Sequence, residues 1–247
     1  TRGLDSSAVA RIVLPVRLRA LARLGRPGDA ATLIDRYGHF VDSAARAAFA
    51  REVAWGYVRV GDVARAAATI AHFGLGDDRE IAGWLALYAG DLQSARSALR
   101  DADASSPDVV TAMALLSRTS ADTAVAVGRA FMLLARGDSA NAADAFAAAG
   151  SSAALRDAAP LLLATAARLH TARHDDGRAV PLWRVVVERY SAAPEAPEAD
   201  LEWGRALKRQ SNTPGAVERW QHLILTYPES ALVPQARHEL ELAKAAA

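Results

Sequence analysis

Two stretches decide the fold: Ala179–Glu202, AVPLWRVVVERYSAAPEAPEADLE, and Ala216–Glu239, AVERWQHLILTYPESALVPQARHE. Ala179, Val180, Trp183, Val187, Tyr190, Pro197, Ala199 and Glu202 reappear as Ala216, Val217, Trp220, Ile224, Tyr227, Pro234, Ala236 and Glu239, each offset by 37 residues. Agreement at eight positions marks an internal duplication. The spacing is helical, because Ala216, Trp220, Leu223 and Tyr227 fall at i, i+4, i+7 and i+11 on one face. The small Ala lets a partner helix approach, and the Trp fills the space between neighbouring hairpins. Pro228 ends the helix by pushing Tyr227 out of the helical region. Ser230 is expected to cap the next helix.

Outward from this core the pattern loosens. A Gly-Asp pair recurs at Gly28-Asp29, Gly61-Asp62, Gly90-Asp91 and Gly137-Asp138, each between two helical stretches. Glycine can close one helix in the left-handed conformation while Asp caps the next, which is the turn of a helical hairpin. The intervals are irregular. We therefore expect one array over 1–247, irregular over 1–150 and regular over 151–247 with the last helix as a cap. About fourteen helices are expected: 5–24, 28–38, 43–59, 62–73, 78–89, 91–103, 107–118, 121–136, 139–149, 152–172, 176–190, 195–210, 213–226 and 230–245. The segment 191–197, rich in Ala and Pro, is the expected soft joint.

Bulk composition agrees. About a quarter of the 247 residues are alanine, the best helix former, and aromatic residues make up 6%. The formal net charge is +1, which gives no overall pull toward nucleic acid or anionic lipid. Arginine supplies nearly all the basic charge, with Lys208 and Lys244 the lysines. Cysteine is absent, excluding disulfides and thiolate metal sites. No apolar run approaches the ~20 residues of a membrane span.

The residues resemble the tetratricopeptide repeat, with a small residue at its eighth position, Ala at the twentieth, an aromatic at the twenty-fourth and Pro at the thirty-second. Gly204, Ala216, Trp220 and Pro228 occupy those places. Gly83, Ala95, Leu99 and Pro107 match an earlier copy. Ala130, Ala142, Phe146 and Ala149 match a third, Ala54, Tyr57, Ala66 and Ile70 a fourth, and Ala167, Ala179 and Trp183 a fifth. The hairpin around Gly28 fits poorly, with Leu33 where Ala is expected. The stretch 216–240 is similar to bacterial envelope members: the periplasmic Tol-Pal-associated coordinators and the outer-membrane lipoprotein of the β-barrel assembly machine. The lipid-anchoring Cys of such lipoproteins is missing from this chain.

The resemblance implies an all-α, right-handed superhelical solenoid acting as a non-catalytic scaffold, periplasmic or outer-membrane-associated. Its partner would be another protein, with no nucleic acid and no cofactor. In that family the first helix of each hairpin lines the concave surface. Carried across, the groove residues are Arg51, Trp55, Arg59, Asp77, Glu80, Trp84 and Tyr88 in the early copies, Arg168 in a later one, and Glu198, Leu201, Arg205, Lys208 and Arg209 in the last. This predicts an aromatic N-terminal groove and a basic C-terminal one, suited to a carboxylate or acidic peptide. Alternatives are a structural subunit of a large assembly, or the superhelical part of a peptidoglycan-processing enzyme, for which this chain leaves no room for a catalytic domain.

Signals for chemistry are few. His170 and His174 share a helix face, a spacing that can ligate zinc, but Thr171 stands where a metalloprotease helix carries Glu. Capping is the expected role of His174. The pairs Asp77-Asp78 and Asp101/Asp103 read as helix-start carboxylates. No phosphate-binding glycine loop and no nucleophile elbow is present, so no catalytic, metal or cofactor residue is expected.

Overall fold

The computed structural model describes residues 6–100, 102 and 107–245, so Asp101 and Asp103 lie outside the described residues. The chain falls into two compact units, Thr1–Asp138 and Ser139–Ala247. Among the described residues are fourteen α-helices. The first unit holds α1 (Ser6–Arg23), α2 (Pro27–Tyr37), α3 (Ser43–Arg59), α4 (Val63–His72), α5 (Arg79–Ala89), α6 (Leu92–Arg100), α7 (Pro107–Leu116) and α8 (Val125–Ala135). The second holds α9 (Ser139–Gly150), α10 (Ala159–Ala172), α11 (Asp176–Arg189), α12 (Ala196–Arg209), α13 (Thr213–Thr226) and α14 (Val233–Ala245). Extended pairing among the described residues amounts to one isolated bridge, Asp91 with Thr123.

One turn design recurs. Gly25, Gly61, Gly74, Gly90 and Gly137 have positive φ, and so do His174 (58°) and Ser211 (62°). At all seven the next residue's amide donates to the carbonyl five residues back, for example Asp62 N to Tyr57 O at 2.8 Å and Asn212 N to Leu207 O at 2.9 Å. These are Schellman closures, which satisfy the last carbonyls of the helix. The following carboxylate or amide then caps the next helix: Asp62 accepts from Arg65 N, Asp91 from Ser94 N, Asp175 from Arg178 N and Asn212 from Gly215 N. Gly28-Asp29 does not follow this design. Both lie in the first turn of α2 behind Pro27, and Gly25 makes the left-handed turn instead.

In the second unit each helix packs chiefly on its successor, from α9 on α10 to α13 on α14, and α10 also touches α12. Two apolar clusters follow the duplication. One gathers Ala167, Ala179, Trp183, Val187 and Ala199; the other gathers Ala216, Trp220, Leu223, Val233 and Ala236. Trp183 and Trp220 are fully buried; truncating such a side chain costs about 3–5 kcal/mol. A Cβ built on Gly204 would stand 2.4 Å from Trp220 Nε1, and one on Gly83 would stand 2.6 Å from Leu99 Cγ. At both places, then, the missing Cβ admits the large residue sixteen positions later.

In the first unit α1, α2 and α3 pack mutually, α4 joins α3 to α5, α5 packs on α6, α7 follows α6, and α8 lies against α5 and α3. At the α5–α8 crossing backbone meets backbone: a Cβ on Gly128 would lie 2.6 Å from Leu87 O and 2.7 Å from Gly90 N.

Three helix starts differ from the spans expected. α8 begins at Val125 rather than 121 because Asp122 O accepts from both Leu92 N and Gln93 N, completing the N-terminus of α6, and Ala124 N donates to Gly90 O. Arg96 holds this strap, donating Nε to Leu116 O and Nη2 to Thr119 O and Ala121 O at 2.9–3.3 Å. α10 begins at Ala159 behind a 3-10 turn over Ala153–Ala158, since Pro160 has no N–H to carry the helical ladder across. α14 begins at Val233, because Ser230 Oγ accepts from Leu232 N in a local turn instead of capping a helix. Tyr227 leaves the helical region ahead of Pro228, as the spacing predicts. Residues 191–195 form hydrogen-bonded turns, Ala193 N to Tyr190 O and Ala196 N to Ala193 O, that bury Glu195, and Ala196 and Pro197 already belong to α12.

Candidate functional site

The groove residues expected from the sequence can be placed within each unit. In the second unit α10, α12 and α14 carry charges that meet across successive helices. Arg168 on α10 donates Nε and Nη2 to the Glu198 carboxylate on α12 at 2.7 and 2.5 Å. Arg205, which stands 37 residues after Arg168 in the repeat register, donates Nε to Glu239 on α14 at 3.0 Å and Nη1 to Glu202 at 2.7 Å. Lys208 Nζ reaches the other Glu239 oxygen at 3.4 Å, and Arg209 forms a two-pronged pair with Asp176, at 2.9 and 2.6 Å, in the first turn of α11. In this ladder Arg168 and Arg205 are thus in repeat register, whereas Glu198, Lys208 and Arg209 are not, since Gln235 stands 37 residues after Glu198 and Thr171 and Ala172 stand 37 before Lys208 and Arg209.

The ladder revises the expected basic groove. Arg168, Arg205, Lys208 and Arg209 are all present on the half-exposed surface, but each is matched by a carboxylate of the same unit, so the face is charge-balanced. Arg209's hydrogen bond holds the Asp176 carboxyl below the usual range despite its partial burial, and Glu198 pushes the Arg168 guanidinium further up. Leu201 is not on this surface; it is buried against Trp220, whose Nε1–H donates to its carbonyl at 3.3 Å.

In the first unit Arg51 on α3 pairs with Asp78, the N-cap of α5, so it ties two helices together. Arg59 lies 3.7 Å from Glu52. Trp55 is half-buried and meets Tyr88 edge-on at 6.4 Å; Tyr88 stacks on Trp84 at 5.8 Å, and Trp84 leans on Phe131 at 6.2 Å. Trp84 and Tyr88 are buried, which leaves Trp55 as the member of this column that reaches solvent. Asp77 and Glu80 are exposed. A cleft of about 350 Å³ elsewhere in this unit is lined by Arg26, Asp29, Thr32, Tyr57, Asp62 and Arg65. Each of its arginines already faces an aspartate, at 2.6 Å (Arg26–Asp29) and 3.4 Å (Arg65–Asp62).

The histidines do not form a metal pair. His174 is the left-handed turn residue, while His170 is buried between Asp144 (3.6 Å) and Asp175 (3.7 Å) on opposite ring nitrogens. Arg178 bridges the same two aspartates. Among the described residues no three His, Cys, Asp or Glu side chains group as a metal site.

One polar cluster was not foreseen. Asp200 on α12 is fully buried; its Oδ2 lies 2.5 Å from His222 Nδ1 and its Oδ1 lies 3.6 Å from Arg219, both on α13. The Arg219 guanidinium covers the Trp203 ring at 4.6 Å, and His222 meets Tyr227 edge-on at 6.1 Å. Burial pushes the Asp200 carboxyl above its ordinary range, against the pull of His222 and Arg219. Burial likewise raises the Tyr227 phenol. In the preceding copy the equivalent positions are Leu163, Leu182 and Val185, all in an apolar cluster. A subtraction of one copy from the other at the 37-residue offset exposes the trio in the sequence.

No protein-family model matches the chain. A search of curated proteins found no match.

Proposed function

We propose that this chain is a right-handed superhelical solenoid of tetratricopeptide-type hairpins and serves as a non-catalytic scaffold that docks another protein, in the bacterial cell envelope. The observation that carries the scaffold reading is the charge ladder. Arg168, Arg205, Lys208 and Arg209 stand half-exposed along α10 and α12, with Arg168 and Arg205 in repeat register, on the helices that would line a groove. The paired contacts Gly204–Trp220 and Gly83–Leu99 support the repeat assignment, because they join its eighth and twenty-fourth positions. The envelope location rests on the resemblance of 216–240. Arg51, Trp55 and Arg59, with Trp84 and Tyr88 behind them, would form the corresponding surface of the first unit. No cofactor, metal or nucleic acid enters this reading.

The test is a native pull-down from envelope and soluble fractions, with mass-spectrometric identification. One stoichiometric partner from the envelope, lost on Arg205→Glu/Arg209→Glu while the thermal melt keeps its shape, supports the docking surface. A partner retained at full affinity by that variant sinks it. A second reading, a structural subunit of a large assembly, draws on large exposed apolar side chains such as Val125 in the first unit and Leu225 in the second. Under it the protein would co-purify with itself or with several subunits indifferent to the two arginines.

A further inference from the structure

We propose that the outward face of α1 is a docking surface for an anionic lipid bilayer. α1 buries Leu14, Leu18 and Ala22 against the first unit, as an amphipathic helix should. Its other face is not polar in the ordinary way. Ile12 (73% exposed), Val13 (48%) and Val16 (67%) stand in solvent on it, and Leu24 (74%) follows just beyond its end. Ile12, Val16 and exposed Ala20 fall at i, i+4 and i+8, so they form one stripe. Arg19 and Arg23, at i+7 and i+11 from Ile12, follow one edge of the stripe, and Arg17 stands on the other.

The charge says what covers the stripe. Between Asp5 and Asp29 the sequence carries Arg11, Arg17, Arg19, Arg23 and Arg26 and no carboxylate. Arg26 is paired with Asp29, and Arg51, Arg168, Arg178, Arg205 and Arg209 each face an acid. Arg17, Arg19 and Arg23 are exposed and form no ion pair among the described residues. Three unpaired positive charges therefore flank the exposed apolar stripe on one helix. A second copy would set like charges against each other across a two-fold axis. A bilayer of anionic lipid takes both parts of the face, since apolar side chains enter the acyl boundary while arginines reach back to phosphates. No helix among the described residues is long and apolar enough to cross a membrane, so α1 would lie on the surface.

The test is sedimentation of the full chain with large unilamellar vesicles of phosphatidylcholine alone and of phosphatidylcholine with 30% phosphatidylglycerol. Partitioning is expected on the anionic vesicles and about a hundredfold less on the neutral ones, at roughly fivefold per arginine. Arg17→Glu/Arg19→Glu/Arg23→Glu should lose at least the same factor. Ile12→Asn/Val16→Asn, at exposed positions where circular dichroism should be unchanged, should lose about tenfold on the anionic vesicles. Equal binding to both vesicle types overturns the proposal, and so does anionic binding that neither variant weakens. It is also overturned if wild-type protein ignores vesicles and light scattering shows a dimer that Ile12→Asn/Val16→Asn dissociates. In that case the face joins copies of the chain.

Discussion

Replacing Gly204 by alanine adds one methyl group where the structure has no room for it. The new Cβ would stand 2.4 Å from Trp220 Nε1, 2.8 Å from Cδ1 and 2.9 Å from Cε2. Ordinary contact needs roughly 1 Å more, and Trp220 is fully buried, so the indole cannot swing into solvent. Overpacking of this kind costs up to about 3 kcal/mol. Displacing the indole also weakens its hydrogen bond to Leu201 O, worth about 1 kcal/mol. Against this, alanine in place of glycine in a helix interior gains about 1 kcal/mol. The net expectation is a loss of about 3 kcal/mol. Urea unfolding followed by far-UV circular dichroism and tryptophan emission measures it through the midpoint at constant slope. The cause is separable from the amount: in a Trp220→Leu background the cost of Gly204→Ala should shrink by at least about 1.5 kcal/mol, since the two residues touch. A loss below about 1 kcal/mol, or additive costs in the double variant, would show that Gly204 is not held by the Trp220 contact.

Other expectations follow from features described above. Gly128→Ala should destabilise the first unit by about 3 kcal/mol or more, because the added Cβ meets Leu87 O and Gly90 N, which are backbone atoms and cannot rotate away; a melting temperature equal to wild type would count against the crossing. Arg96→Met keeps the aliphatic stem but drops three donors to carbonyls of the strap, so hydrogen exchange over 117–124 should accelerate while α10–α14 stays unchanged. Asp200→Leu/Arg219→Leu/His222→Val installs the residues found 37 positions earlier and should be neutral or stabilising by about 1–4 kcal/mol. The pH dependence has a definite sign. Because the folded Asp200 carboxyl titrates above its unfolded value, its contribution to stability is complete below about pH 4 and is lost as pH rises through the folded pKa. Asp200→Asn lacks that loss, so its stability relative to wild type should climb from pH 4 upward, measured by urea unfolding at several pH values. A flat difference would show that His222 and Arg219 fully offset the burial.

The features most legible in the sequence were those written at short range. Trp183 and Trp220 announce themselves by neighbours four and seven residues away, and Pro228 acts on the residue before it. Left-handed turns were legible where glycine marked them and invisible at His174 and Ser211, where the same geometry is held by the six-to-one bond and the Asp175 or Asn212 cap. Long-range partners were harder. The sequence places Arg205 and Arg209 on one side of a helix, but nothing local states that Glu239 lies 3.0 Å from the first and Asp176 2.6 Å from the second. That is why a basic surface was expected and a balanced one was found. Gly128 is equally silent, since its meaning lies in a helix that ends some forty residues earlier. Asp200, Arg219 and His222 differ, for they were available to any reading that subtracted one copy from the other.

The sharing of Glu239 between Arg205 and Lys208 has a thermodynamic corollary. An acidic partner that takes these cations competes with Glu239, the carboxylate that holds α14 to α12, and to that extent each molecule bound loosens it. Occupancy and the seating of α14 then become linked quantities, and linkage runs both ways. Glu239→Gln, which removes the competitor, should tighten a partner that uses Arg205, while the bound partner should speed amide exchange along α14. The same competition keeps the net charge at the interface nearly constant, so association would depend on salt far more weakly than the number of arginines suggests.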